Sequence, residues 1–301
     1  MRLRFRYISI LALAILSCND DLVITNTVSD TQMVVNAAAN NGEQIELEVI
    51  RPNLITEDTF NRPISGVQVE LLKNGTVVET RYTGSKGQIK FATKAVGGDS
   101  LTLRMLKEDF EPANSTIKAP FVIPILQFDT TTRRRNVLGC RVSFYDPVKD
   151  EDFYQLEMVG YRWFYKIHPI TGERQDSIWA TQSLSMRSVN KLFFSDNNII
   201  NNRQSFELLN DKIFNGKNFV LDVDISAFVL EEQPDRGAIK LLRFELNHID
   251  KAYYDFLSTI SLNRPVYGGP FSIASQVPTN IEGGLGIFAA TASDTAFISL
   301  E

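Results

Sequence analysis

The stretch Val67 to Tyr82 reads "VQVELLKNGTVVETRY", two runs rich in β-branched residues joined by Asn74-Gly75. Asn-Gly tolerates the positive φ angles of a type I′ turn, whose twist matches the strands it joins, so a β-hairpin is expected here. Neighbouring segments extend the pattern. "QIELEVI" (44–50) sets Ile45, Leu47 and Val49 against polar residues, and "GQIKFAT" (87–93) and "DSLTLRMLKEDFEP" (99–112) alternate in the same way. Period-two alternation puts one face of each strand in a core. The chain is therefore expected to be mainly β.

Later segments keep this character. "APFVIPILQFDTTTRRRN" (119–136), with Pro120 and Pro124, reads as the crossing into a second domain, and Arg133-Arg134-Arg135 as a solvated linker. "VLGCRVSFYDP" (137–147) reads as a strand closed by a turn at Asp146-Pro147, and Cys140 as a small buried hydrophobe. "DFYQLEMVGYRWFYKI" (152–167) is a long aromatic strand, followed by a loop through "HPITGERQDS" (168–177). "NFVLDVDISAF" (218–228) and "AIKLLRFELNHI" (238–249) add strands. One helix is expected in "IDKAYYDFLSTISLN" (249–263), with Asp250 as N-cap, an apolar face of Tyr253, Phe256, Leu257 and Ile260, and Pro265 as its stop.

The first eighteen residues, "MRLRFRYISILALAILSC", combine Arg2, Arg4 and Arg6 with an apolar run too short to span a bilayer, as in a secretory signal. Ile15-Leu16-Ser17-Cys18 resembles the bacterial lipobox, in which the cysteine is lipidated and becomes the first mature residue. Residues 1–17 are thus read as signal peptide, 18–31 as a polar tether, 32–120 as an N-terminal β-sandwich and 121–301 as a mostly β domain with one short helix. Asn19, Asp20 and Asp21 resemble the acidic signal that sends lipoproteins of the Bacteroidota to the outer face of the outer membrane. Lipidation of Cys18 leaves Cys140 as the one remaining thiol, so no disulfide is expected within the mature chain.

Loss of residues 1–17, which hold three arginines and no acid, moves the net charge from −5 to −8. Such a chain is a poor match for nucleic acid, which needs a basic face. "GLGIFA" (284–289) fits a dinucleotide-binding fingerprint, but Glu301 leaves no room for the βαβ unit that gives the fingerprint meaning. The segment after it, "ATASDTAFISLE", reads as a short turn and a last strand. With two histidines, His168 and His248, and no metal-spaced pair, nucleophile elbow or phosphate loop, the expectation is no enzyme, no cofactor and no metal. The acids of Asp146 to Asp152 suggest calcium, yet lack the spacing of a calcium loop, so a solvated turn is expected. Trp163 and Trp179 are the residues that a glycan-binding surface would expose.

Two resemblances complete the reading. "GVQVELL", "KGQIKF" and "LTLRMLKEDFEP" resemble the carboxypeptidase-regulatory-like, prealbumin-type sandwich, with Asp109-Phe110 in place of the Gly-Tyr of its Lys-x-Gly-Tyr-x-Pro turn. In order, "MVVNAAANNGEQIELEV", "RPISGVQVELL", "FYDPVKDEDFYQLEM", "LLNDKIFNGKNFVLDVDI", "LNHIDKAYYDFLSTI" and "VPTNIEGGLGIFAA" resemble the Bacteroidota lipoproteins grouped as domain of unknown function 4249. The tail carries most of this likeness, through Pro278, Asn280, Ile281, Gly283, Gly284, Gly286 and Phe288. Its glycines are expected where positive φ or close backbone approach excludes a side chain. The resemblance implies a non-catalytic accessory subunit on the outer membrane, held by its lipid and partnered with a TonB-dependent transporter barrel or its cargo. Glycan-binding or hydrolytic surface proteins and structural adhesins or envelope-assembly components are the alternatives. The long loop before the tail is either the expected contact, through Tyr267, Phe271, Ile273, Asn280 and Ile281, or a lid whose apolar residues cover the open end of the second sheet.

Overall fold

A computed structural model describes residues 31–52, 62–134, 137–148, 151–189, 206–262 and 277–300. The chain is mainly β. Strands β1 (Met33–Asn40), β2 (Gln44–Arg51), β3 (Arg62–Pro63), β4 (Gln68–Lys73), β5 (Thr76–Tyr82), β6 (Gln88–Lys94), β7 (Ser100–Leu106) and β8 (Ala113–Lys118) come first. β9 (Ile125–Arg134), β10 (Val137–Tyr145), β11 (Phe153–Ile167), β12 (Arg174–Ser183), β13 (Arg187–Ser188), β14 (Phe206–Asn210) and β15 (Asn218–Ser226) follow. The one-turn helix α1 (Ala227–Leu230), β16 (Leu241–Ile249), the helix α2 (Lys251–Leu262) and β17 (Gly284–Ser299) end the described chain.

The Val67–Tyr82 hairpin is present: β4 and β5 pair antiparallel, and Asn74 (φ 52°) and Gly75 (φ 81°) make the left-handed turn. Asp109 (φ 69°) adopts the left-handed backbone that its glycine counterpart would take, and Phe110 packs against the first core with the Arg51 guanidinium 4.8 Å from its ring centre. Sheet β5-β4-β7-β8 faces β1, β2 and β6 across a core that includes Met33, Val49, Val69, Phe91, Leu103 and Phe288. Sheet β13-β15-β10-β9 faces β11, β16 and the end of β17 across a second core that includes Cys140, Phe144, Leu156, Leu221 and Phe244. Cys140 is fully buried, and burial pushes its thiol up to about 12.

The two sandwiches are joined by one sheet. β17 is a single strand of sixteen residues, where the sequence suggests a turn followed by a shorter strand. Its first half pairs parallel with β1, from Met33↔Gly284 to Asn40↔Thr291, and its second half pairs antiparallel with β16, from Ile249↔Thr291 to Leu241↔Ser299. The order β12-β11-β16-β17-β1-β2-β3 therefore runs unbroken from the second sandwich into the first. The chain passes from the first core at Ala119 to the second at Ile123, while the sheet itself continues across both and β17 returns Phe288 to the first core. Three further segments differ from the reading above. Ile125–Arg134 is an edge strand rather than a linker, so Arg133 and Arg134 lie in β9. Arg174–Ser177 belong to β12, whose nearly all-exposed residues give no alternation to read. Helix α1 is too short to carry a periodic signal.

The tail glycines sit where the argument from sequence places them. Gly286 has φ 100°, and a Cβ there would lie 2.1 Å from the Val35 carbonyl oxygen; one at Gly283 (φ 73°) would lie 2.2 Å from the Pro112 oxygen. Gly42 (φ 80°) faces open space instead. Gly42→Ala should thus cost about 1–2 kcal/mol from left-handed strain alone. Gly286→Ala should cost several-fold more, because the strand must part from β1. Urea unfolding of the two variants checks this, and equal costs would refute a close-approach role for Gly286.

Candidate functional site

Cys18, Asn19, Asp20 and Asp21 lie outside the described residues, as do Tyr267, Phe271 and Ile273. Asn280 and Ile281 are described, and both serve the fold. The Asn280 amide nitrogen donates to the Phe288 carbonyl (2.7 Å) while its oxygen accepts from the Phe288 N–H (2.9 Å). Ile281 is 3% exposed in the first core. Ile281 is closed to a partner, while the half-buried Asn280 has its amide engaged by Phe288.

The exposed chemistry lies elsewhere, on the outer face of the long sheet. Along β11, even positions such as Tyr154, Leu156 and Met158 enter the second core. Odd positions face outward, and from Tyr161 onward they are Tyr161, Trp163 and Tyr165, spaced ~7 Å apart by the two-residue strand repeat. β12 sets Trp179 directly opposite Trp163, so the chain's two tryptophans form one cross-strand pair, edge to face at 5.3 Å between ring centres. Tyr161 stacks with Trp179 at 6.4 Å. Trp163 and Trp179 remain 43% and 41% exposed, which leaves ring surface for a ligand.

The frame beneath this ladder is stiff. Arg162, on the opposite face of β11, is buried, and its guanidinium donates to the Glu231 carbonyl just after α1 (2.6 Å) and to the Gln182 side chain on β12 (3.1 Å). At the far end, Arg174 stacks on Tyr165 (4.2 Å) and donates to the carbonyls of Gln233 and Pro234, which clamps the 233–236 turn to β11. Toward the sheet centre Arg243 lies 6.0 Å from the Tyr161 ring centre and pairs with Glu245 (3.1 Å). Glu157 stands opposite Glu245, and burial, with that like charge beside it, pushes its carboxyl up. The face thus grades from aromatic rings into a charged centre.

Helix α2 covers the next part of the face. Asp250 is its N-cap, as expected, with one carboxylate oxygen accepting from the Tyr253 N–H (3.0 Å). Its Leu257, Tyr253 and Tyr254 pack with Phe153 and Ile249 of the sheet, so its aromatic residues secure it there. Beyond α2 an open groove of about 750 Å³ runs over β1, β2 and β6, lined by Asn36, Glu46, Glu48, Lys90, Tyr253 and Phe256. Sequence reading singles out the two tryptophans but not their pairing, because β12 carries no alternation to identify it as a strand.

The stretch from Asp146 to Asp152 departs most from expectation. Asp146 is fully buried, so the turn is not solvated there. Its carboxylate accepts from the Tyr154 hydroxyl and from the Gly216 N–H (3.0 Å). The alternation of β10 explains the burial: Leu138, Cys140, Val142 and Phe144 point inward, and Asp146 is next in that series.

No curated protein matches the chain. A family description, "Domain of unknown function (DUF4249)", matches residues 20–296, a span that takes in β1, β17 up to Ala296, the aromatic ladder and the Asn280 clamp. The chain belongs to the DUF4249 family.

Proposed function

We propose that this protein is a non-catalytic binding protein held at the outer membrane by a lipid on Cys18, an accessory subunit that engages a TonB-dependent transporter barrel or its cargo. The observation that carries this reading is the ladder of Tyr161, Trp163, Tyr165 and Trp179, solvent-facing rings set on a braced sheet. Large aromatic residues dominate binding energy at interfaces because they offer much contact area at little entropic cost. Ring faces also stack on sugar rings, so the same observation favours a second reading in which the cargo is a glycan.

Trp163→Ala and Trp179→Ala should each lower stability by about 1–2 kcal/mol, since the rings are half-exposed and lose mainly their mutual contact. Each should nevertheless abolish recovery of a barrel partner from detergent-solubilised membranes of the source cell. Retention of the partner by both variants refutes the ladder as contact surface. Tryptophan fluorescence titrated with soluble glycans separates the second reading, which requires a shift in the parental chain and none in the variants.

Anchoring is tested independently. Cys18→Ala should abolish palmitate labelling and release the protein from the membrane fraction. Asp20 and Asp21 replaced by Ala should leave labelling intact but shield the protein from protease added to whole cells. Unchanged shaving by protease would remove the export role of these acids.

A further inference from the structure

The carboxylates of Asp146, Asp152 and Asp211 converge at one end of the second core, each offering an oxygen within 4.8 Å of the others. They come from three places in the chain. Asp146 follows β10, Asp152 precedes β11 and Asp211 follows β14, where the 211–217 turn folds back so that the Lys217 carbonyl accepts from the Asp146 N–H (3.1 Å). This is not a surface cluster: Asp146 is 0% and Asp211 1% exposed.

The cluster holds more negative charge than its neighbours balance. His248 Nε2 lies 3.1 Å from one Asp152 oxygen, with Nδ1 turned to the Phe121 carbonyl (2.9 Å), and no Lys or Arg pairs with Asp146 or Asp211 among the described residues. Oδ2 of Asp211 and Oδ2 of Asp152, both inaccessible to solvent, accept no hydrogen bond from the described residues. A buried carboxylate oxygen without a donor is costly, and three carboxylates sharing one site repel each other unless a cation or protons intervene. Burial pushes the carboxyls of Asp146 and Asp211 up, as expected for acids lacking a counter-charge.

We propose that Asp146, Asp152 and Asp211 form a binding site for a hard divalent cation of the calcium class. Oxygens bound to one calcium lie ~2.4 Å from it, and hence no more than about 4.8 Å from each other, a limit these three carboxylates meet. Water or backbone oxygens supply the rest of the shell. The Tyr154 hydroxyl and the Gly216 N–H fix the Asp146 carboxylate, and His248 fixes that of Asp152, as outer groups orient metal ligands. The ion would bind β10, β11 and the 211–217 turn together and so stabilise the second sandwich.

The test uses the purified chain stripped with a chelator. Millimolar calcium should raise its unfolding temperature by several degrees, because the ion binds only the folded state. Terbium should gain emission sensitised through the adjacent Tyr154 and lose it when calcium competes. Asp211→Asn should lose both responses, yet unfold without metal at or above the parental temperature, since one buried charge is gone. If that variant fails to fold, Asp152→Asn carries the same comparison at a more accessible carboxylate. The proposal is overturned if calcium, magnesium and manganese all leave the parental unfolding temperature unchanged without sensitised terbium emission. It is equally overturned if the calcium shift persists undiminished in the folded variant.

Discussion

The parallel pairing of β17 with β1 is the contact on which the remaining architecture depends. Each sandwich needs the long sheet as one of its two walls, and β17 is the strand common to both. Parallel neighbours require a long excursion of chain between them, and here nearly the whole protein is that excursion. The pairing survives only because Gly284 and Gly286 let the backbone come against Met33 and Val35 with no Cβ between. Asp250 fastens the same junction from the other side: its second carboxylate oxygen accepts from the Ala290 N–H (2.5 Å) while its own N–H donates to the Ala290 carbonyl (3.2 Å). One side chain thereby starts α2 and holds β17 at the point where it passes from β1 to β16.

What could be read from sequence was whatever chemistry acts over a few residues. The Asn74-Gly75 turn, the alternation in β2, β6 and β7, and the Asp250 cap each declare themselves locally. The tail glycines also do, since a side chain is excluded whichever backbone approaches. What could not be read depended on distant partners. β12 is a strand because β11 pairs with it, even though its own residues are exposed on both faces. Asp146 looks like a turn residue until Asp211 and Tyr154 are seen to enclose it. Asn280 and Ile281, drawn toward a contact role by their place beside a long loop, are consumed by the Phe288 clamp and the first core.

The two faces of the long sheet have separate tasks. Inward residues of β11 and β16 build a core and then, at one end, set Tyr154 and His248 against the acidic cluster. Outward residues build the aromatic ladder, the seat of α2 and the open groove. Strand alternation keeps these roles apart, so that changes in what the outer face contacts need not disturb the core behind it.

The span between the paired strands also governs how the chain reaches its native state. Thr291 meets Asn40 at a sequence separation of 251, so the wall of the first sandwich is incomplete until β17 has been synthesised. Contacts this remote close late and slowly, since the loop entropy must be overcome before they form. A nascent chain lacking β17 exposes the edge of β1 and stays unlatched, open to proteases and chaperones meanwhile. Closure then comes at the end, as a single late event.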